Sequence, residues 1–328
     1  MVRIERVAEA GRAEWQEACE RSPHATYFHS PRWADLFCGG SGGRAEPAAL
    51  SVAFDDGARA VVPAVRTRRL RGLLCANLCT AGTNYGGWIS GDPLGDEHAR
   101  LLAGTIVSIR NVVWRENPFD PLQTALEMPG ARAEQTQLID LSRGIDTLYK
   151  ETSHAHKKAL KKAEREGVTV REASGEPQWR AYYDVYLSAL EQWSRQGPEK
   201  RTRSRYGWDL FGILLAQPTG NEKLWVAEKD GRIVAGIVCF YWAGRHMVTW
   251  HAAALAEYNQ FRPNNALYWE IIRDAQSRGF SWFDFNPSGG YEGVVNFKDN
   301  FGGEKRRTRV VDRRSWTHAL AGRLKSLR

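Results

Sequence analysis

"KLWVAEKDGRIVAGIVCFYWAGRHMVTWHAAA", residues 223–254, decides the fold. Three runs rich in Val, Ile and aromatic residues are separated by Asp230-Gly231 and Ala243-Gly244. Dipeptides of this kind make tight hairpin turns, so the stretch reads as three antiparallel strands. Downstream, "NNALYWEIIRDAQSRG" has helical periodicity and is closed by Gly279, and "SWFDFN" reads as a buried strand. Upstream, "PQWRAYYDVYLSALEQW" places Tyr183, Tyr186, Leu187 and Leu190 on one helical face, and "GWDLFGILLAQ" adds a second helix. Before these, residues 145–166 read as helical and "VTVREA" as a strand.

The first half shows a shorter version of the same order. "PRWADLFC" (31–38) follows Ser30 and has proline at the first helical position. "AALSVAFDDGARAVVPAVRTRR" is a hairpin about Asp56-Gly57, and "TAGTNYGGWISGDPLG" (80–95) is a glycine-rich loop. "DEHARLLAGTIVSIR" (96–110) reads as a helix, "NVVWR" as a strand, and "TQLIDLS" (136–142) as a strand ending in a turn. No residue-level repeat links the halves. The expectation is an α/β (α+β) protein of two stacked domains, each a mixed, mostly antiparallel sheet flanked by helices. The boundary is placed at 144/145, giving 1–144, 145–310 and a basic C-terminal segment 311–328.

At 328 residues, 42% hydrophobic and 26% charged, the chain can bury about two ordinary cores. No stretch approaches the roughly 18 uncharged apolar residues of a membrane span, and the start lacks an apolar signal core. Five cysteines lie scattered, which suits reduced thiols, a cytoplasmic location and no metal site. The net charge of +8 is uneven. Residues 150–166 carry a surplus of three positive charges and residues 304–328 a surplus of seven. A surplus confined in this way points to a polyanion or an anionic surface. Solvated helix faces and a basic tail are the plainer alternative.

The element order is typical of the N-acyltransferase fold called GNAT. "FHSPRWADLF", "NYGGWI", "TQLIDLS", "HKKALKKAEREGVTV", "RPNNALYWEIIRDAQSRGFSWFDF" and "GVVNFKDNFGGE" sharpen the likeness. In that order, across nearly the whole chain, they resemble the Fem family of non-ribosomal peptidyltransferases. The resemblance implies two tandem GNAT-like domains, with 311–328 inclined to return to the first. It also implies transfer of an aminoacyl group from aminoacyl-tRNA to an amine, commonly on a peptidoglycan precursor and in related chains on antibiotic-pathway intermediates. Aminoacyl-tRNA would be the co-substrate, with no further cofactor. A small amine or peptide, in some members nucleotide-sugar-linked, would be the acceptor, and transient contact with a membrane surface is left open.

A check independent of the resemblance concerns coenzyme A. Acyl-CoA enzymes of this fold hold the pyrophosphate with a glycine-rich turn at a helix N-terminus. The corresponding turn, "LAEYNQFRPNN", has no glycine, and Pro263 removes an N–H donor. An acyl-CoA-dependent N-acyltransferase is therefore the rival reading. A non-catalytic protein that binds RNA or an anionic surface is the second rival.

"NFKDNFGGEKRR" (296–307) sets Lys298 between Phe297 and Phe301, before paired glycines and a basic run. The resemblance implies a lysine here that serves the donor end. A fixed ammonium suits the charge that builds on an ester oxygen and the phosphates of an RNA 3′ end. Phe297 and Phe301 are expected to restrict Lys298 or stack on a base, although core packing suits both. Gly302 and Gly303 allow close backbone approach. Asp284, the carboxylate nearest Lys298 in sequence, is the candidate base; it suits a structural role equally. His154, His156 and His251 have no evident partner. Lys157, Lys158, Lys161, Lys162 and Arg165 form adjacent helical rows suited to RNA phosphates, and Arg306, Arg307 and Arg309 extend that track. For the acceptor, the resemblance points to Tyr85 in one domain and Arg205 and Tyr206 in the other. One departure bears on it. Members that grip a nucleotide diphosphate tend to carry a lysine where this chain has Phe37, four residues after Trp33.

Overall fold

The structure, a computed structural model, describes residues 1–69, 74–79, 81–195, 206–288 and 292–317. Two units emerge: Met1–Gln135 with the described part of Arg307–Arg328, and Thr136–Arg306.

The first unit runs β1 (Ile4–Glu9), α1 (Arg12–Arg21), α2 (Pro31–Gly39), β2 (Ala45–Pro47), β3 (Leu50–Phe54), β4 (Arg59–Val62), β5 (Val65–Arg69), β6 (Leu74–Leu78), α3 (Asp96–Ser108), β7 (Val112–Arg115) and α4 (Pro121–Ala125). Helix α2 starts where the sequence places it: Ser30 Oγ accepts the Trp33 N–H at 3.1 Å and Pro31 fills the first turn. The Asp56-Gly57 turn joins β3 to β4, with Gly57 at φ 89°. β1 flanks β3 on its other side, and β2, β5, β6 and β7 are hydrogen-bonded neighbours in that order. Val52, Phe54, Trp88, Leu102, Ile106 and Trp114 lie in this unit's core.

The second unit runs β8 (Arg132–Asp140, of which the residues from Thr136 belong to this unit), α5 (Ile145–Glu151), α6 (His154–Arg165), β9 (Thr169–Glu172), α7 (Gly175–Arg195), α8 (Trp208–Ala216), β10 (Glu222–Lys229), β11 (Arg232–Trp242), β12 (His246–Ala254), α9 (Pro263–Ser277), β13 (Trp282–Asp284) and α10 (Glu292–Asp299). β14 (Glu304–Asp312) follows; its residues from Arg307 belong to the first unit, where they pair antiparallel with β7. The helical stretch 145–166 is broken at Thr152-Ser153. Ser153 Oγ caps a new helix by accepting the His156 N–H at 3.0 Å.

The three-strand stretch folds as expected, β10 against β11 against β12, all antiparallel. Within this unit the strands neighbour one another in the order β8-β13-β12-β11-β10-β9. Helix α9 buries Leu267, Ile271, Ile272 and Ala275 against Ile237, Cys239, Met247 and Phe283 on one face. Helix α7 covers the other face, and its buried stripe is Trp179, Tyr182, Val185, Tyr186, Ala189 and Leu190. Tyr183 and Leu187, expected on that stripe, are only half-buried. Tyr183 packs instead against Trp208 and Phe211 of α8, ring centroids 5.4 and 5.3 Å apart. Gly236 makes room for α7, because a Cβ there would lie 2.5 Å from the Tyr182 ring.

Two irregularities shape one edge of this sheet. β12 and β13 pair in parallel from His246↔Trp282 to Val248↔Asp284, where β13 ends and β12 runs on to Ala254. Just beyond, β12 bulges. Its register with β11 jumps from Val238↔His251 to Cys239↔Thr249, leaving Trp250 as the extra residue. A bulge re-aims side chains at the place where a sheet edge opens.

Candidate active site

Lys298 sits in the last turn of α10 and is 4% exposed. Its Nζ donates to the Asn286 carbonyl at 2.6 Å. Burial lowers its pKa to about 8, partly opposed by the negative charge of Asp284. A buried ammonium is costly, so its position must be held by the surrounding fold.

The holding group is the turn after β13. Asn286 adopts the left-handed conformation at φ 60°, uncommon for a residue other than glycine. Its N–H donates to Asp284 Oδ1 at 2.7 Å. Asp284 is fully buried; Oδ1 also accepts from Thr136 Oγ1 at 2.9 Å, and Oδ2 pairs with His246 Nε2 at 3.1 Å. The carboxylate thus fixes the turn that aims the Asn286 carbonyl at Lys298. Sequence proximity picked out Asp284; Thr136 and His246, distant in sequence, gave no signal.

Phe301 is buried, its ring 5.2 Å from Phe285, 5.7 Å from Tyr268 and 4.0 Å from His156. Phe297 packs on Tyr268 and Phe301 at 5.4 and 5.3 Å. Both rings belong to the α9 core, so they anchor the helix that carries Lys298. The paired glycines allow the close approach expected of them. A Cβ on Gly303 would lie 2.5 Å from the Leu138 carbonyl oxygen, and one on Gly302, at φ 75°, 2.8 Å from that of Glu151.

The turn before α9 is built without glycine. Ala256–Phe261 forms a 3-10 turn, Arg262 takes the left-handed conformation at φ 63°, and Pro263 opens α9. The N–H groups of Tyr258, Arg262 and Asn265 donate to the carbonyls of Leu255, Asn259 and Arg262. These three amides are used within the turn, and Pro263 has none to offer to a pyrophosphate.

Of the histidines, two gain partners that spacing did not reveal. His156 Nδ1 lies 2.9 Å from Asn265 Nδ2, and His251 Nδ1 lies 2.7 Å from the Tyr182 hydroxyl. Burial lowers their pKa values to about 4 and about 3 respectively.

Helix α6 presents Lys158, Lys161 and Arg165 to solvent with Lys162 half-buried beside them. Lys158, Lys161 and Lys162 form no ion pair among the described residues, and Arg165 meets Glu166 at 3.4 Å. Lys157 is half-buried and lies along the surface, donating to the Lys150 carbonyl at 2.8 Å and lying 5.5 Å from the Tyr149 ring. In the later basic run Arg307 is exposed, while Arg306 pairs with Glu304 and lies over Trp282 at 4.6 Å. Arg309 does not extend the track. Its guanidinium forms two hydrogen bonds to Glu116, itself 2% exposed, and caps carbonyls of α4 and Leu126.

Of the acceptor candidates, Arg205 lies outside the described residues. Tyr206 is half-buried in the second unit, its ring 4.9 Å from Trp250. Tyr85 belongs to the first unit and is 1% exposed, packed edge-on to Phe28 and Phe119 at 6.5 and 6.1 Å.

Residues 150–299 match the family model for an acetyltransferase (GNAT) domain. The second unit therefore carries a GNAT-type acyltransferase domain. Over its whole length the chain has a Fem-like fold. It superposes on FemX with a TM-score of 0.66 at 12% identity, covering 97% of this chain and 100% of that one. It also resembles the C-terminal domain of a putative lysylphosphatidylglycerol synthetase from Agrobacterium fabrum, with a TM-score of 0.53 at 15% identity and 95% coverage of both chains. L-PGS from Bacillus licheniformis gives a TM-score of 0.52 at 13% identity, covering 90% of this chain and 95% of that one. No curated protein sequence matches the chain. No described helix is long and apolar enough to cross a membrane.

Proposed function

We propose that this acyltransferase takes an aminoacyl group from aminoacyl-tRNA and joins it as an amide to an amine acceptor. The acceptor is a peptidoglycan precursor or an antibiotic-pathway intermediate, and the reaction runs in the cytoplasm without a metal or further cofactor. The observation that carries the reading is the buried Lys298 ammonium, fixed on the Asn286 carbonyl after β12 and β13 part. An ester carbonyl brought to that ammonium gains stabilisation as charge builds on its oxygen, in surroundings with little water to compete. The glycine-free turn before α9 supports a donor other than acyl-CoA, and the α6 lysines with Arg307 supply cations for RNA phosphates. An aminoacyl ester is already activated, so positioning donor and amine together contributes much of the rate. Asp284, with both oxygens engaged, is cast as the residue that positions Lys298 through Asn286.

The GNAT family match keeps one other reading in view, acyl transfer from coenzyme A. The test is incubation with a pool of charged tRNAs or with acetyl-CoA, each with a panel of amines, followed by mass spectrometry. Amide product that needs charged tRNA and disappears after ribonuclease treatment is the expected result. Product from acetyl-CoA alone would overturn the tRNA reading.

A further inference from the structure

The α6 cations and Arg307 leave part of the positive charge without a task, and in the first unit it gathers at one corner. Residues 313–315 run beside the start of β7. The Arg313 N–H donates to the Val112 carbonyl at 2.9 Å and the Ser315 N–H to Asn111 Oδ1 at 3.0 Å. Next to them Asn77 of β6 donates through Nδ2 to the Arg110 carbonyl at 2.9 Å, and its Oδ1 accepts from Arg66 Nε of β5 at 3.4 Å. Two places further along β5, the Arg68 N–H donates to the Arg44 carbonyl at 2.7 Å. These contacts join Arg44, Arg66, Arg68, Arg110, Arg313 and Arg314 into one connected stretch of surface, and all six are exposed. Glu46 pairs with Arg66 and Arg68, and Asp312 pairs with Arg314. Arg44, Arg110 and Arg313 form no ion pair among the described residues.

Trp316 stands in this surface, one residue past the Ser315 contact, and is 75% exposed. Among the described residues the other large apolar side chains left exposed are Met1 and Val7. A single exposed apolar side chain is ordinary; Trp316 gains meaning from the unpaired arginines around it. Past Thr317 the sequence, outside the described residues, reads "HALAGRLKSLR". It adds Arg323, Lys325 and Arg328 with no Asp or Glu, and sets Leu320, Leu324 and Leu327 among them. RNA phosphates would use the arginines, and a base could stack on the indole, but neither employs the leucines. An anionic bilayer engages all three: arginines meet headgroup phosphates, an indole sits at headgroup level, and aliphatic side chains reach the acyl boundary.

We propose that this corner of the first unit docks the protein on an anionic phospholipid surface, with Trp316 entering the headgroup layer and Arg110 and Arg313 held against lipid phosphates. The contact is peripheral and reversible. No described helix is long and apolar enough to cross a membrane, and a few cations with one ring give weak partitioning. The proposal concerns where the protein works and does not depend on which acyl donor it uses.

The test is co-sedimentation of the full chain with vesicles of phosphatidylcholine, alone or mixed with phosphatidylglycerol, over a salt series. Binding to the mixed vesicles only, weakening as salt rises, is expected. Each cation near an anionic surface contributes about fivefold in partitioning, so Arg110→Gln with Arg313→Gln should weaken binding roughly 25-fold. Trp316→Ser should weaken it about tenfold at every salt concentration, because its contribution is not one of charge. Lys158→Gln with Lys161→Gln removes the same charge from the second unit and should change binding by less than about threefold. Absence of binding to the mixed vesicles overturns the proposal. So does binding that Trp316→Ser leaves intact, or an equal loss in the α6 pair, which would mean attraction to net charge rather than to this corner. Arginine changes that spare vesicle binding yet lower affinity for tRNA assign the patch to RNA and overturn it as well. The arginine and tryptophan variants should keep the wild-type rate on soluble substrates, so a failure of vesicle binding and a failure of acyl transfer are read separately.

Discussion

Replacing Lys298 by methionine separates a functional lysine from a structural one, because the two roles predict opposite changes in stability. Burial lowers the Lys298 pKa from 10.5 to about 8. Each pKa unit is worth about 1.4 kcal/mol, so holding the ammonium in place at neutral pH costs on the order of 3 kcal/mol. Methionine removes that cost and leaves the Asn286 carbonyl without its donor, which returns about 1 kcal/mol. The variant is therefore expected to be more stable than the wild type at pH 7 by roughly 2 kcal/mol. The pH dependence follows from proton counting. Between pH 8 and 10.5 the unfolded lysine holds a proton that the folded one has released, so wild-type stability rises through that window. Below it the full cost is present, and the advantage of the variant should shrink by on the order of 2 kcal/mol between pH 7 and pH 9.5. Urea unfolding at the two pH values, followed by tryptophan fluorescence, gives the comparison. Amide formation should meanwhile fall by roughly 10²–10³-fold, the scale for losing one transition-state donor. A variant that is less stable at pH 7, shows no narrowing at pH 9.5 and transfers at the wild-type rate would refute the reasoning.

Changing Lys158, Lys161, Lys162 and Arg165 together to glutamine should lower the slope of log affinity for tRNA against log salt by roughly 3; an unchanged slope in a filter-binding series would remove α6 from the RNA track. Arg309→Ala should destabilise the protein by about 3 kcal/mol, because it leaves the buried Glu116 carboxylate without its counter-charge; a midpoint within error of wild type in urea would contradict that. Burial holds His156 at a pKa of about 4, below its ordinary 6.5, so the unfolded chain binds more protons between those values. Stability from this residue is complete above pH 6.5 and lost as pH falls toward 4, and His156→Phe should flatten the acid limb of stability against pH by one proton.

Much of the fold was legible because local signals agreed with the tertiary outcome. The turns at Asp56-Gly57 and Asp230-Gly231 and the cap at Ser30 are decided within a few residues, and each stands where the sequence puts it. The α7 stripe was misjudged because a second helix competes for the same residues. Helical periodicity predicts that one face is buried, and the sequence carries no mark saying which ring meets the sheet and which meets α8. The break at Thr152-Ser153 was hidden for a related reason. Ser153 caps α6, yet its place also depends on Asn300, whose carbonyl accepts the Ser153 N–H at 2.9 Å and lies far along the chain.

The site divides along the same line. Lys298 and Asp284 were visible as residue types in a recognisable stretch, but what holds them is spread over Thr136, His246 and Asn286. Arg309 shows the reverse error. Counted as a charge, it belonged with Arg306 and Arg307; in three dimensions Glu116 neutralises it, and only the exposed cations remain available to a polyanion. His251 is a similar case. Its spacing shows no partner, yet the Tyr182 hydroxyl, 69 residues away in sequence, occupies one of its ring nitrogens. Charge and residue type can be read from a sequence. Which charges are already spent is settled by distant contacts, and here both the proposed chemistry and the proposed membrane contact rest on those that are not.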